Sequence, residues 1–286
     1  MARLSQYLSL IKFSHSVFAL PFALMAYFTA ARSDVSWATL VLVVACMVCA
    51  RSAAMAYNRV VDRKIDAANP RTAGREIPAG VVSVRGAIGL TLLSGAGFVA
   101  AAFFINPLCG YLGLPVLAFL LSYSYSKRFT SLAHLWLGLA LGLAPVAAWV
   151  AHTGVLAADL IAPIALGLGV AFWVMGFDIL YSCQDEEFDR EQGLHSIPGR
   201  FGRETALRIS FVVHVLCVPL FWYFGFETGS GLSYHVGVVV VAVVLLAEHR
   251  VISPTDMSRV NVAFFTMNGV VSLVMLACTV LDVYVF

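Results

Sequence analysis

Nine stretches of this 286-residue chain are apolar for long enough to cross a lipid bilayer, which takes about 20 residues of helix. They lie at about 14 to 31, 37 to 57, 84 to 105, 107 to 125, 132 to 152, 158 to 180, 205 to 226, 232 to 248 and 260 to 285. The third and fourth are parted only by Asn106-Pro107, read as a tight turn because proline disfavours helix in the residue before it. The composition agrees: 60% of residues are hydrophobic and 12% charged, against about 45 to 50% and about 25% in an average soluble domain. The expected fold is all-α, a polytopic membrane protein of nine helices forming one membrane-embedded domain over residues 1–286. The net charge of only +2 leaves no basic face for nucleic acid. The start of the chain, Met-Ala-Arg-Leu-Ser-Gln-Tyr, leads into the first apolar stretch without a small-residue cleavage site, so that span is expected to be retained.

Orientation follows from the positive charges, because short cytoplasmic loops carry the excess of Lys and Arg. The N-terminal segment and the loops after spans two, four, six and eight hold Arg3, Lys12, Arg59, Arg63, Lys64, Arg71, Arg75, Lys127, Arg128, Arg190, Arg200, Arg203, Arg250 and Arg259, whereas the opposite loops hold only Arg32. A cytoplasmic N-terminus is therefore expected, with the C-terminus on the other side. Two cytoplasmic loops, 58–83 and 181–204, are longer than the rest.

Those two loops also begin with acids. Asp62, Asp66, Asp178, Asp185, Glu186, Glu187 and Asp189 form two patches at the cytoplasmic ends of spans two and six. Carboxylates beside hydrocarbon are costly and by default mark a functional site with a counter-charge, and held together they repel unless a proton or cation intervenes. In the first patch Asn58, Asp62 and Asp66 recur every four residues, so on a continuous helix they fall at about 0, 40 and 80 degrees around the axis. In the second, Asp178, Asp185 and Asp189 fall within about 40 degrees of one another on the same assumption. All-oxygen, carboxylate-rich sets suit hard cations, and Mg2+ in particular binds through one or two carboxylates plus substrate phosphates. Either patch alone could equally be a solvated acidic rim paired with Arg63, Lys64 and Arg190; the two together favour a shared cation.

The neighbouring bases fit a phosphate. Arg51 lies two helical turns before Asn58, on the same face and deeper in the membrane, while Arg71 and Arg75 lie on the loop that follows. Guanidinium groups recognise phosphate in bidentate fashion.

Three of these stretches resemble the motifs of the UbiA superfamily of intramembrane aromatic prenyltransferases. Asn58 to Asp66 is similar to its first aspartate-rich motif, NDxxDxxxD, with Arg59 in place of the first Asp; Asp178 to Asp189 is similar to the second; and Tyr123-Ser-Tyr-Ser-Lys127-Arg128 resembles its Tyr and Lys signature. The resemblance implies nine helices around a central cavity open to lipid and transfer of a prenyl group from a polyprenyl diphosphate to an aromatic acid, in quinone biosynthesis. It implies Mg2+ held by Asn58, Asp62, Asp66, Asp185 and Asp189, and a diphosphate met by Arg51, Arg71, Arg75, Lys127, Tyr123 and Tyr181. The catalytic acids would be Asp62, Asp66, Asp178, Asp185 and Asp189, with Asp178 and Asp185 the candidates for polarising or binding the acceptor. The stretch from Asn58 to Gly80 resembles the branch acting on 4-hydroxybenzoate; a dihydroxynaphthoate is the alternative acceptor. Phe13, Phe18 and Phe22 are candidates to line a groove for the isoprenoid tail, against the reading that aromatic residues at helical spacing simply pack.

Other classes find less support. A transporter working through paired carboxylates would carry its acids deep within broken helices, not at one end of the spans. The DGxxAR signature of CDP-alcohol phosphotransferases is missing, as are a GxSxG elbow, a Walker loop and a dinucleotide fingerprint in suitable context. The six cysteines, including the Cys46-Met-Val-Cys49 pair, lie mostly within apolar runs and are read as packing thiols. The seven histidines show no metal-ligand spacing and are expected to be structural.

Overall fold

A backbone in hydrocarbon must satisfy its own hydrogen bonds, and each apolar run does so as a helix. The computed structural model describes residues 4–11 and 18–286. Its helices are α1 (Leu4–Leu10), α2 (Leu20–Ala31), α3 (Trp37–Val61), α4 (Arg63–Ala68), α5 (Val84–Ile105), α6 (Pro107–Ser126), α7 (Ala133–Thr153), α8 (Ile161–Ser182), α9 (Glu186–Glu191), α10 (Ile197–Phe201), α11 (Arg203–Thr228), α12 (Leu232–Val251) and α13 (Asn268–Tyr284). A π-helical turn, Val262–Met267, leads into α13. No strand forms among the described residues beyond one isolated bridge between Ser253 and Asp256. The protein is thus an all-α membrane protein: among the described residues, 8 helical stretches are long and apolar enough to cross a bilayer. The shorter α2 falls in the remaining apolar stretch, which begins among residues 12–17 outside the described ones. Phe13, a candidate for the tail groove, lies outside them as well.

The expected turn between the third and fourth spans is present. Asn106 has extended backbone, with φ −168° and ψ 162°, and its side-chain Oδ1 accepts from Cys109 N–H at 2.8 Å, capping α6. Proline opens α6 at the position where its missing N–H costs nothing.

The described residues divide into two compact units, one of residues 4–11 and 38–125, the other of residues 18–37 and 126–286. In the first, Leu10 and Ile11 from α1 and its end pack with Ala56 and Val60 of α3, Ile77 and Val82 of the following loop, and Ala87 of α5. That cluster anchors the end of α3 and the 69–83 loop, where the first acidic patch lies.

In the second unit the span from Ile161 to Glu191 is the innermost, more deeply buried than the spans at Ala133–Thr153, Arg203–Thr228, Leu232–Val251 and Val262–Tyr284. Small residues let α7 approach it closely. A Cβ added at Gly138 would collide with the Ala171 carbonyl, and one at Gly142 with the Gly167 carbonyl, so the two backbones touch where no side chain intervenes. A buried polar network fastens the other side of the bundle. Trp173 Nε1 donates to Asn268 Oδ1 at 2.6 Å, Asn268 Nδ2 donates to Glu248 Oε1 at 3.2 Å and to the Ala263 carbonyl at 3.0 Å, and His214 Nδ1 lies 2.9 Å from His249 Nε2. Asn268 thereby bonds a carbonyl of the π-helical turn through its side chain.

Candidate active site

The first acidic patch sits at a kink that keeps its register. Asp62 departs from helix with φ −86° and ψ 1° between α3 and α4. Its N–H nevertheless bonds the Asn58 carbonyl at 2.9 Å, and Asp66 N–H bonds the Asp62 carbonyl at 2.8 Å. The four-residue spacing read from the sequence therefore survives, and Asn58 Nδ2 donates to Asp62 Oδ2 at 3.0 Å. Asp62 and Asp66 are both 3% exposed. Asp66 Oδ1 accepts from Arg75 Nη1 at 2.7 Å, while its Oδ2 is buried without a hydrogen-bond partner.

The loop supplying Arg75 is tied down by its own turns. Thr72 Oγ1 donates to the Asp66 carbonyl at 3.1 Å, and Arg71 N–H donates to Asn69 Oδ1 at 2.9 Å. Arg75 is thus brought onto Asp66, and Arg71 is exposed. Arg51 is half-buried on α3, about 10 Å further along the helix axis than Asn58 by helical rise. Tyr123 is half-buried near the end of α6, where the neighbouring Tyr125 hydroxyl lies 2.9 Å from the Tyr57 hydroxyl of α3.

Arg59 is a feature the sequence undervalued. It is 4% exposed, and its Nη1 donates to Asn58 Oδ1 at 3.4 Å. Asp62, Asp66 and Glu76 lie within its electrostatic reach. Where the motif has a carboxylate, this chain holds a fixed cation that offsets its neighbours' charge.

The second patch does not form the single helix assumed for it. After Ser182 the chain makes a 3-10 turn over Cys183–Asp185 before α9. Such a turn advances about 20 degrees more per residue than α-helix, so Asp185 and Asp189 rotate away from the direction expected relative to Asp178. Asp189 is 7% exposed; the Ser196 side chain hydrogen-bonds it, and Lys127, Asp185 and His134 lie within electrostatic reach. The Lys127 carbonyl accepts from His195 N–H at 2.8 Å and the Asp189 carbonyl from Leu194 N–H at 2.8 Å, so the 192–196 loop folds back over the acids. Arg203 braces this turn, its Nε lying 3.2 Å from Glu186 Oε2.

Asp178, predicted to serve the acceptor, is paired with His134 of α7, whose Nδ1 lies 2.6 Å from Asp178 Oδ2. The pair could not be read from the sequence, because 44 residues separate its members. The available signal was a histidine in the first turn of an otherwise apolar span. Tyr181 stacks against Phe264, ring centroids 4.3 Å apart. Phe18 and Phe22 take the packing role: both are buried, Phe18 against Phe177 and Phe264 and Phe22 against Trp173 and Phe221.

Within the first unit, then, Asn58, Asp62, Asp66 and Arg75 converge; within the second, Asp185, Asp189 and Lys127 do so, with Asp178 joined through His134. Among the described residues no three His, Cys, Asp or Glu side chains form a ready-made metal cage. The donors are nevertheless all oxygen, and Asp66 keeps one buried oxygen uncommitted. Oxygen donors are the kind Mg2+ takes when water and phosphate complete its shell.

Residues 19–270 match the UbiA prenyltransferase family. The 4-hydroxybenzoate octaprenyltransferase of Vibrio campbellii is 30% identical over 241 residues, 84% of either chain. The apo structure of a UbiA homolog from Aeropyrum pernix superposes with a TM-score of 0.86 at 33% identity, covering 94% of this chain and 98% of that one. A UbiA homolog from Archaeoglobus fulgidus, solved bound to GPP and Mg2+, shares the fold with a TM-score of 0.74 at 22% identity, covering 98% of this chain and 100% of that one. With apolar spans, motif residues and likeness in agreement over most of its length, the chain belongs to the UbiA prenyltransferase family.

Proposed function

We propose that this protein transfers a polyprenyl group from a polyprenyl diphosphate to 4-hydroxybenzoate, a step of quinone biosynthesis, within a bacterial inner membrane. The observation that carries the reading is the 30% identity, over 84% of both chains, to an octaprenyltransferase named for that acceptor. We take residues 1–286 as one catalytic domain, with the N-terminus and the mouth of the site cytoplasmic.

In this reading Asn58, Asp62, Asp66, Asp185 and Asp189 would hold Mg2+; that the Archaeoglobus homolog was solved with GPP and Mg2+ supports the use of a divalent metal. When bound, the metal neutralises charge on the diphosphate. Arg51, Arg71, Arg75 and Lys127 add fixed positive charge at the same oxygens, and Tyr123 and Tyr181 add hydrogen bonds. Preorganised charge of this kind is commonly the largest catalytic contribution where an anion departs. The allylic C–O bond breaks with its electron pair passing to the diphosphate oxygen. The apolar helices keep water from the resulting carbocation. Ring electrons of the phenol form the new C–C bond, the ring proton leaves to a base, and Asp178 and Asp185 are the residues assigned to the acceptor. A preformed pair such as Asp66 and Arg75 suits the task, because its geometry is set before substrate arrives.

The test is to incubate membranes holding the protein with labelled prenyl diphosphate and a panel of aromatic acids, with and without Mg2+. Mg2+-dependent label on 4-hydroxybenzoate supports the reading. Label on a dihydroxynaphthoate alone overturns the acceptor, and no label on any acid overturns the reaction.

A further inference from the structure

We propose that His134 is a positioning residue that fixes the direction in which Asp178 meets the aromatic acceptor. The inference rests on the reading above, in which Asp178 serves that acceptor. His134 opens α7 with its side chain 6% exposed, and its two ring nitrogens have different partners. Nε2 lies 3.3 Å from the backbone nitrogen of Ile197, and Nδ1 lies 2.6 Å from Asp178 Oδ2.

A backbone N–H only donates, so Nε2 is the bare nitrogen and the ring proton is on Nδ1. That proton is donated to Asp178 Oδ2. The tautomer is therefore set from outside the pair by Ile197, whose N–H falls in the first turn of α10 and has no intrahelical acceptor. Ser196, capping the same turn through its bond from Gly199 N–H at 3.1 Å, holds that N–H in place. The chain α10 to His134 to Asp178 pins one carboxylate oxygen. The side chain of Asp178 remains 20% exposed. Its other oxygen is the one left to accept a hydrogen bond from the phenolic hydroxyl of the acceptor, a contact that also raises electron density in the ring. His134 neither touches substrate nor takes a proton in this scheme, because its acceptor nitrogen is already committed.

The experiment is steady-state kinetics on the full chain in nanodiscs, with His134→Ala, His134→Asn, Asp178→Asn and the His134→Ala/Asp178→Asn pair, together with 15N spectra of labelled histidine. Loss of a hydrogen bond to a charged group predicts that His134→Ala lowers kcat/KM for the aromatic acid about tenfold or more while KM for the diphosphate stays within about twofold. His134→Asn, whose amide nitrogen overlays Nδ1, restores most of that loss. In the Asp178→Asn background His134→Ala costs nothing further, since the residue acts only through Asp178. An equal loss in both backgrounds, or an unchanged kcat/KM in His134→Ala, overturns the inference while leaving the transferase reading intact. A wild-type protein that prenylates no aromatic acid overturns both. Independently of activity, the signal that disappears in His134→Asn must show protonated Nδ1 and bare Nε2; the opposite tautomer overturns the proposal.

Discussion

Replacing Arg75 with alanine isolates what holds the first acidic patch together. Asp66 is almost wholly buried, and Arg75 Nη1 at 2.7 Å is the charge that faces its Oδ1. Two unit charges at that separation attract with about 6 kcal/mol at an effective dielectric constant of about 20. Much of this is returned as desolvation of the carboxylate. The Arg75 side chain is 27% exposed, so water screens it further. The net cost of the substitution is then expected at about 1 to 3 kcal/mol, above the range of an exposed pair and below that of a fully buried one. Because the cost comes from the stranded carboxylate, Asp66→Asn in the Arg75→Ala background should recover part of it. If Asp66 also binds metal, Mg2+ gains an unopposed ligand, and saturating Mg2+ alone should raise the melting temperature of Arg75→Ala more than that of the wild type. The assay is thermal unfolding of the purified protein in detergent, with and without Mg2+. A melting temperature equal to wild type for Arg75→Ala would refute the reasoning, as would a double variant less stable than either single one.

Further expectations concern the site and the scaffold. Asp62→Ala should abolish prenyl transfer while the protein still folds and inserts, and near-normal turnover would remove that carboxylate from the metal site. Arg51→Ala should raise KM for the prenyl diphosphate more than KM for the aromatic acid, and equal shifts would argue against phosphate contact. Gly142→Leu should separate α7 from α8, because even a Cβ there meets the Gly167 carbonyl. The expected destabilisation is about 3 kcal/mol or more in denaturant titration, and an unchanged midpoint would contradict the close approach.

The spans were legible because apolar run length alone encodes a membrane helix, and even the turn at Asn106-Pro107 could be read from one residue pair. The first acidic ladder was equally legible, since its oxygens follow a four-residue period that a kink at Asp62 does not disturb. The second was misread in its angle, because nothing in Tyr181-Ser-Cys-Gln-Asp185 signals that the helix tightens to a 3-10 turn there. Contacts between remote segments left no trace in the spacing. The pairing of His134 with Asp178 and the joining of Trp173, Asn268, Glu248 and His214 are of that kind. Phe18 and Phe22 show the limit of periodicity from the other direction: helical spacing announces a face and does not say whether a ligand or other aromatic rings will cover it.

The central proposal is that the acids of each patch serve to hold Mg2+ for the prenyl diphosphate. Calorimetric titration of an unreactive prenyl thiolodiphosphate into the purified protein, with Mg2+ present, tests it most directly when wild type is compared with Asp62→Asn and Asp185→Asn. Loss of at least about tenfold in affinity is expected for each variant, from removal of a charged metal ligand, and that loss should vanish when Mg2+ is withheld from all three proteins. Wild-type affinity in either variant at saturating Mg2+ would contradict the proposal.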